Sequence, residues 1–577
     1  MAKNDANEEK MHGGDVLVRA LHAEGIEYVF GLPGGEFLPF LEALDRWGTK
    51  NGMKYIGVRH EQAAGHMADG YARASGKVGV CCGTVGPGVT DLVPGIDSAY
   101  ADNIPLLVIH PQMEPKFENH HRLQGDLDQL TLLRPLVKYQ KHIADPNRIV
   151  WAAQKCFKEL HSGRPNPVQL EVREDAFYGN VEDYGQVILK PHQYRNMEPP
   201  AGNPVLIEKA CDLLLKAEKP LIVSGGGIAS ADAFDPLQEL SVKYNIPVAT
   251  TIMGIGTIST NKETYIGTAL LISPVNRAAR EADVVLALGT KFSYTLGYGK
   301  APLWNPDGKV IQVDIDPQMI GKNKPVDIGI LGDCRVVLEQ LLETLGTRGA
   351  GKIGSKDWLP ALKEERRLEI DTARPKLNST KTPIHPLRVI GDLTSFINPE
   401  DILVADGGDI QVLTSTHVDF TKHREPRTFI SSIGMGHLGA GIPYAIGAKL
   451  AKPDSRVFMI TGDGSFLFNV QELDTAMKYG IPFVCVIADN CKWGMIANAE
   501  KRNFKKRQPF CVDICSNYVK IAQGFGCYAE RVDNAEDIKP ALQRAVDSGI
   551  PAVIQIPTKS VAPAGSKLII SLKKLRF

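Results

Sequence analysis

The chain has no uncharged apolar run of the roughly 18 residues that a bilayer-spanning helix needs. Its first ten residues, MAKNDANEEK, are charged and carry no apolar core, so they read as neither a signal peptide nor an anchor. Net charge is also missing. Lys+Arg and Asp+Glu both number 66, leaving no overall field to draw in nucleic acid or an anionic membrane. Cysteine is sparse, with ten residues in 577. Cys81, Cys82 and Cys485 sit in apolar runs, which predicts reduced thiols in a cytoplasmic protein and not a disulfide framework. Cys511 and Cys515 stand four apart, but no second Cys/His pair completes a zinc site.

What is present is the composition of a soluble globular protein, 43% apolar and 23% charged, in a chain long enough for about three or four domains. Short Val/Ile/Leu-rich runs alternate with helical stretches, which predicts an α/β protein of three doubly wound parallel-sheet domains. We place these at 1–185, 200–346 and 380–577, the last with a basic C-terminal tail. Expected strands in the first include Tyr28–Phe30, Lys54–Val58, Gly79–Cys82, Leu106–Ile109 and Val168–Val172. In the second they include Pro220–Val223, Val284–Leu288 and Val310–Asp314, and in the third Ile402–Ala405, Val457–Thr461, Phe483–Ala488 and Ala552–Ile556. Similar size and strand order read as repeated domains. The charged stretch Thr347–Lys381 reads as a solvated connection partly in helix.

The chain is organised around Gly462–Asn490. An apolar strand ends in Gly462-Asp463-Gly464, a helix follows, and a second buried strand ends on Asp489-Asn490. Two parallel strands joined by a helix put both ends on one sheet edge, so Asp463 and Asn490 can lie side by side. A carboxylate and an amide oxygen suit Mg²⁺, and the glycines allow a diphosphate to approach the backbone. A bare GDG is only a turn, but strand, GDG, helix, strand and Asn in register resembles the thiamine diphosphate (ThDP) fingerprint. Glu61, in VRHEQAAGHMADGYARASG (58–76), would by itself be a first-turn acid facing a helix dipole. Together with Pro33–Gly35, with GTVGPG (Gly83–Gly88) and with GDG…Asn, it matches the acetolactate synthase-like branch of ThDP enzymes over almost the whole chain.

That resemblance implies pyrimidine-binding, central and diphosphate-binding domains in this order. It makes Glu61 the carboxyl that hydrogen-bonds N1′ of the aminopyrimidine and favours its imino tautomer, whose nitrogen takes the thiazolium C2 proton. Leu438, in GMGHLGAGIP (Gly434–Pro443), becomes the side chain under the bent cofactor, and the Gly436 carbonyl accepts from the 4′-amino group. Asp463, Asn490 and the Lys492 backbone become Mg²⁺ ligands. Gly464, Ser465 and the amides of Gly408, Asp409 and Ile410 become diphosphate contacts, with Pro33 and Gly34 in the first domain's cofactor turn. Gln124 lines the substrate side as a further catalytic residue. Trp493 and Met495 read either as pocket walls or as ordinary packing. The resemblance also implies a homodimer or homotetramer, with Glu61 and the GDG stretch of one site on different subunits.

Within the branch, LALGT is followed by KFSYTLGYGKAPLWNPDGKVIQVDID without the aspartate pair of the flavin-binding acetolactate synthases. FAD is thus a poorer expectation than ADP or a CoA nucleotide in the central domain, with Asp314 as a ribose-binding acid. The run resembles more the 2-hydroxyacyl-CoA lyase and oxalyl-CoA decarboxylase group. Lys567, Lys573, Lys574 and Arg576 in the tail could face CoA phosphates or simply be solvated. We therefore expect a ThDP/Mg²⁺-dependent carbon–carbon lyase or carboligase acting on a 2-hydroxyacyl-CoA. The alternatives are acetolactate synthase-type carboligation of 2-oxo acids, benzaldehyde-lyase-like acyloin chemistry, or a catalytically dead homologue.

Overall fold

In the computed structural model, residues 10–268, 273–505, 509–511 and 515–563 are described. The tail residues Lys567, Lys573, Lys574 and Arg576 lie outside them. The chain separates into two compact units, Met1–Met197 and Glu198–Phe577. No helix among the described residues is long and apolar enough to cross a membrane.

The first unit holds one parallel sheet. Its strands are β1 (Tyr28–Gly31), β2 (Lys54–Gly57), β3 (Gly79–Cys82), β4 (Leu106–Gln112), β5 (Tyr139–Ile143) and β6 (Val168–Arg173), in the order 2-1-3-4-6-5. The second unit holds two more. One is built from β7 (Pro220–Ser224), β8 (Val248–Thr250), β9 (Tyr265–Thr268), β10 (Val284–Leu288), β11 (Lys309–Asp314) and β12 (Ile328–Leu331), in the order 12-11-10-7-8-9. The other comprises β13 (Ile402–Ala405), β14 (Phe429–Ile430), β15 (Val457–Gly462), β16 (Val484–Asp489), β17 (Tyr528–Arg531) and β18 (Ala552–Pro557), in the order 14-13-15-16-18-17. The central strands read as continuous apolar runs because helices cover both faces: every residue of β3, β10 and β16 is buried.

The three sheets are not three copies of one topology. The first and third share the same relative order, whereas the middle one runs 3-2-1-4-5-6 when its strands are counted from β7. Thr347–Lys381 is partly helical, as expected, but it is not merely a solvated connection. It contains the 20-residue helix Trp358–Leu377, whose Trp358, Leu359, Leu362, Ala373 and Leu377 are buried. The Trp358 indole N–H donates to the Pro220 carbonyl at 2.8 Å, tying this helix to the start of β7.

The helix Glu61–Ser75 crosses the helix Pro87–Asp102 backbone against backbone. A Cβ on Gly95 would stand 2.6 Å from the Gly65 Cα, and one on Gly65 2.8 Å from the Gly95 Cα. This contact sets the height at which Glu61 begins its helix. Gly95→Val must push the two helices apart and is expected to destabilise the first unit by about 2–3 kcal/mol. Thermal unfolding checks it, and an unchanged transition would mean that the crossing is not close.

Candidate active site

In the first unit, the turn after β2 delivers His60 and Glu61 to a helix start. His60 is the cap, its Nδ1 accepting from the Gln62 amide at 3.2 Å. Glu61 is only 5% exposed. Burial raises its pKa above the ordinary carboxylate value and the nearby Asp91 adds to this, while its own backbone N–H and His60 oppose it. A carboxyl whose burial favours its protonated form is suited to share a proton with a partner ring nitrogen. The other first-unit residues cluster at neighbouring turns. A Cβ on Gly34 would fall 2.3 Å from the Thr84 hydroxyl, which itself donates to Glu36 at 2.7 Å, so Pro33–Gly35 and Gly83–Gly88 touch. Gly86, at φ +73, packs on the Gln124 carbonyl, leaving Gln124 half-buried beside the turn.

One first-unit residue escaped the sequence reading. Gln129 is fully buried; its Oε1 accepts from the Gly86 amide at 2.9 Å, and its Nε2 donates to Glu171 at 3.1 Å and to the Pro111 carbonyl at 3.0 Å. It fixes the glycine turn against β4 and β6. Its only sequence signal is an amide in the otherwise apolar run QLTLL.

In the second unit the loops after β13 and β15 meet at Asp406, another residue the sequence did not single out. Its buried carboxylate accepts from the Gly407 amide at 2.7 Å, the Ser465 hydroxyl at 2.8 Å, the Gly439 amide at 3.2 Å and the Gly441 amide at 3.3 Å. Burial raises its pKa, opposed by those hydrogen bonds. The Ser465 hydroxyl in turn accepts from Gly439 at 2.8 Å. Gly439 takes φ +84, and a Cβ there would lie 2.2 Å from that of Phe468, so only glycine fits. The segment ahead of it presents an exposed Gly436 and a half-buried Leu438.

Asp463 and Asn490 converge as the parallel strands require. Asp463 Oδ2 and Asn490 Oδ1 each lie 3.1 Å from the Lys492 amide nitrogen, which donates to both. Desolvation, and then the Asp489 carboxylate, hold Asp463 well above the ordinary carboxylate range. Two buried acids beside an amide oxygen form a hard, electron-rich donor set, and a small divalent cation would relieve the charge that burial penalises. The residues therefore fit Mg²⁺. Around this point Gly408 lies under Met495, Ile410 is buried against Gly407, and Gly464 lies under the Trp493 ring. Asp409 caps the approach: burial pushes its pKa up to about 6 against a 2.9 Å hydrogen bond from Asn498.

One expectation needs correcting here. Cys491, between Asn490 and Lys492, is joined to Cys515 by a disulfide, so not every cysteine is a free thiol. Asp314 ends β11, where its carboxylate accepts from the Asp316 amide at 3.0 Å. The glycines at the switch point of the middle sheet are likewise engaged within the protein. Gly225 N donates to Leu288 O at 2.9 Å and Gly227 N to Gly289 O at 3.1 Å, so these amides do not face a phosphate.

Asp406→Ala should leave the Gly407 and Gly441 amides without their buried acceptor and the Gly439 amide on the Ser465 hydroxyl alone. At about 1–3 kcal/mol per orphaned group, hydrogen exchange of residues 439–441 should accelerate by at least about tenfold. Exchange mass spectrometry of wild type and variant checks this; equal protection would deny the carboxylate its role.

Three family models match successive parts of the chain: the thiamine pyrophosphate enzyme N-terminal TPP binding domain over residues 11–132, the central domain over 207–341 and the C-terminal TPP binding domain over 406–556. A probable acetolactate synthase large subunit of Methanocaldococcus jannaschii is 36% identical across 98% of this chain and 96% of its own length. The acetolactate synthase large subunit of Haemophilus influenzae is 32% identical over 93% and 92%, and the isozyme 3 large subunit of Escherichia coli 32% over 93% of each. Matched along its length by relatives of this one kind, and with carboxyl, glycine turns and oxygen donors placed as above, the chain belongs to the thiamine diphosphate-dependent enzymes of the acetolactate synthase-like family.

Proposed function

We propose that this protein is a ThDP- and Mg²⁺-dependent carboligase that joins two 2-oxo acids, as an acetolactate synthase does. The observation that carries this is the match, over more than nine-tenths of the chain, to relatives named acetolactate synthase large subunit. Those relatives lend no support to the 2-hydroxyacyl-CoA lyase expected from the sequence. The engaged Gly225 and Gly227 amides add none for a nucleotide at that switch point.

When bound, ThDP supplies a nucleophilic thiazolium carbon that adds to a 2-oxo acid and lets carbon dioxide leave. The chain's own residues do the rest. Glu61 holds a proton at the aminopyrimidine N1′, a task its desolvated environment favours. Asp463, Asn490 and the Lys492 backbone hold the cation that neutralises the diphosphate. Gly408, Asp409, Ile410, Gly464 and Ser465 supply close backbone approach to that diphosphate, and Leu438 with Gly436 supports the pyrimidine end. Gln124 faces the substrate. The assembly in this reading is a homodimer or homotetramer with active sites between subunits.

Steady-state kinetics on pyruvate and on a 2-hydroxyacyl-CoA tests the reaction class. Acetolactate formation is the expected outcome; thioester cleavage without pyruvate consumption would overturn it. Glu61→Gln fills the same space but cannot share the proton. It should lower kcat by about 10²–10⁴-fold while leaving ThDP affinity close to wild type. Unchanged C2–H exchange of the bound cofactor would remove Glu61 from that role. Asp463→Ala should abolish Mg²⁺-dependent ThDP retention in calorimetry, and an unaltered affinity would place the cation elsewhere.

A further inference from the structure

We propose that Cys491 and Cys515 form a reversible dithiol/disulfide site that sets how firmly the cation loop is held. The two Cα atoms are 5.0 Å apart, inside the range a disulfide requires. Cys491 lies between Asn490 and Lys492 and occupies the left-handed region at φ +53, a conformation that a side-chain-bearing residue keeps only when its surroundings hold it. Its amide donates to Asp489 Oδ1 at 3.1 Å. On the other side of the bridge, Gln555 donates to Asp489 Oδ2 at 2.8 Å and to the carbonyl of Ser516 at 3.3 Å. Both ends of the disulfide are thus anchored to the strand end that carries Asn490.

The bridge ties back the segment that leaves the end of β16 at Cys491, whose described part up to Lys505 begins over the glycine turns. Trp493 rests on Gly464, Met495 on Gly408, and Asn498 bonds Asp409. The Trp493 amide donates to the Cys511 carbonyl at 3.0 Å, drawing Cys511 close to the segment's start. The pair is also the accessible one. Cys515 is exposed and Cys491 half-buried, whereas the other eight cysteines are buried. Burial raises the thiol pKa of Cys81, Cys82, Cys156, Cys334 and Cys485, keeping those sulfurs unreactive.

The co-reactant is a small or protein-borne dithiol. Its thiolate attacks the exposed Cys515 sulfur, and Cys491 leaves as a thiolate that takes a proton from water. The second thiol of the reductant then closes its own disulfide, releasing Cys515. Two electrons and two protons pass to the protein, and the reverse reaction restores the bridge. In the reduced form Cys491 can relax out of its left-handed conformation, carrying Asn490 Oδ1 and the Lys492 backbone away from Asp463. Retention of ThDP with Mg²⁺ should weaken by roughly tenfold, the size of effect seen when groups supporting metal ligands are lost.

The experiment uses the full chain equilibrated with oxidised or reduced dithiothreitol. Free thiols are trapped by alkylation and mapped on peptides, and each form is titrated with ThDP at fixed Mg²⁺. The expected result is a Cys491–Cys515 cross-link in the oxidised form alone, with the tighter affinity. Cys515→Ser should bind as the reduced wild type does under both conditions. Alkylation of both thiols after oxidation would overturn the proposal, as would equal affinity of the two forms. Stoichiometric zinc held on Asp489, Cys491 and Cys515 would also overturn it. The effect on affinity rests on the assignment of Asp463 and Asn490 as cation ligands, but the mapping does not. Absence of Mg²⁺-dependent binding in either form would fail that assignment and is distinguishable from a missing cross-link.

Discussion

One buried carboxylate, that of Asp406, is the point on which the second unit's site depends. It receives donors from the loop after β13, from the Gly439–Gly441 turn and from the GDGS turn after β15. Removing a charge from water is costly, and here the compensation comes from three backbone amides and the hydroxyls of Ser465 and Thr461. Each loop's geometry therefore depends on the others. The three turns form one hydrogen-bonded unit with its carboxyl group inside the protein, and in the proposed reading the side left for a cofactor is lined by glycine amides, Leu438 and the Asp463–Asn490 pair.

How much of this could be read from the chain follows from how local each feature is. GDG…Asn was legible because one strand, one helix and the next strand bring its two donors together without help from elsewhere. Glu61 was legible by resemblance, and the burial that tunes it by the Ala, Met and Gly around it. Asp406 left no such trace, since its donors are scattered from Gly407 to Ser465 and its role appears only once β13 and β15 pair. Gln129 was hidden in the same way, its partners Gly86 and Glu171 lying on distant turns and strands. The strands the sequence missed were β5, β8, β9, β12, β14 and β17. All but β8 are sheet edges. An edge strand is packed from fewer sides, so YQKHI in β5 and YAER in β17 are mostly half-buried and form no continuous apolar run. The Cys491–Cys515 pairing was invisible because the bridge joins positions that only the folded loop brings together.

The first and third sheets share one strand order, although the strands that lead into their candidate site residues hold different places in it, β2 at an edge and β15 inside. In both, a turn at the carboxyl end of a strand opens a helix: β2 leads through His60 to Glu61, and β15 leads through Gly462 to Asp463. Carboxyl ends of parallel strands gather helix N-termini and free amides on one edge, which is where anionic and polar ligands are held. The middle sheet, with its different order, spends its glycine amides on its own backbone.

The middle sheet is nonetheless mechanically joined to its neighbour within the second unit. The Tyr294 hydroxyl donates to the Ile433 carbonyl at 3.2 Å, directly ahead of Gly434–Leu438. Arg427 reaches the Ala229 carbonyl at 2.6 Å, and Thr260 and Arg424 exchange hydrogen bonds. For anyone building chimaeras, this sheet is therefore not a cassette. Swapping it from a relative lacking the tyrosine would untether the backbone that leads into Leu438, so its inheritance is bound to that of the cofactor loop it braces.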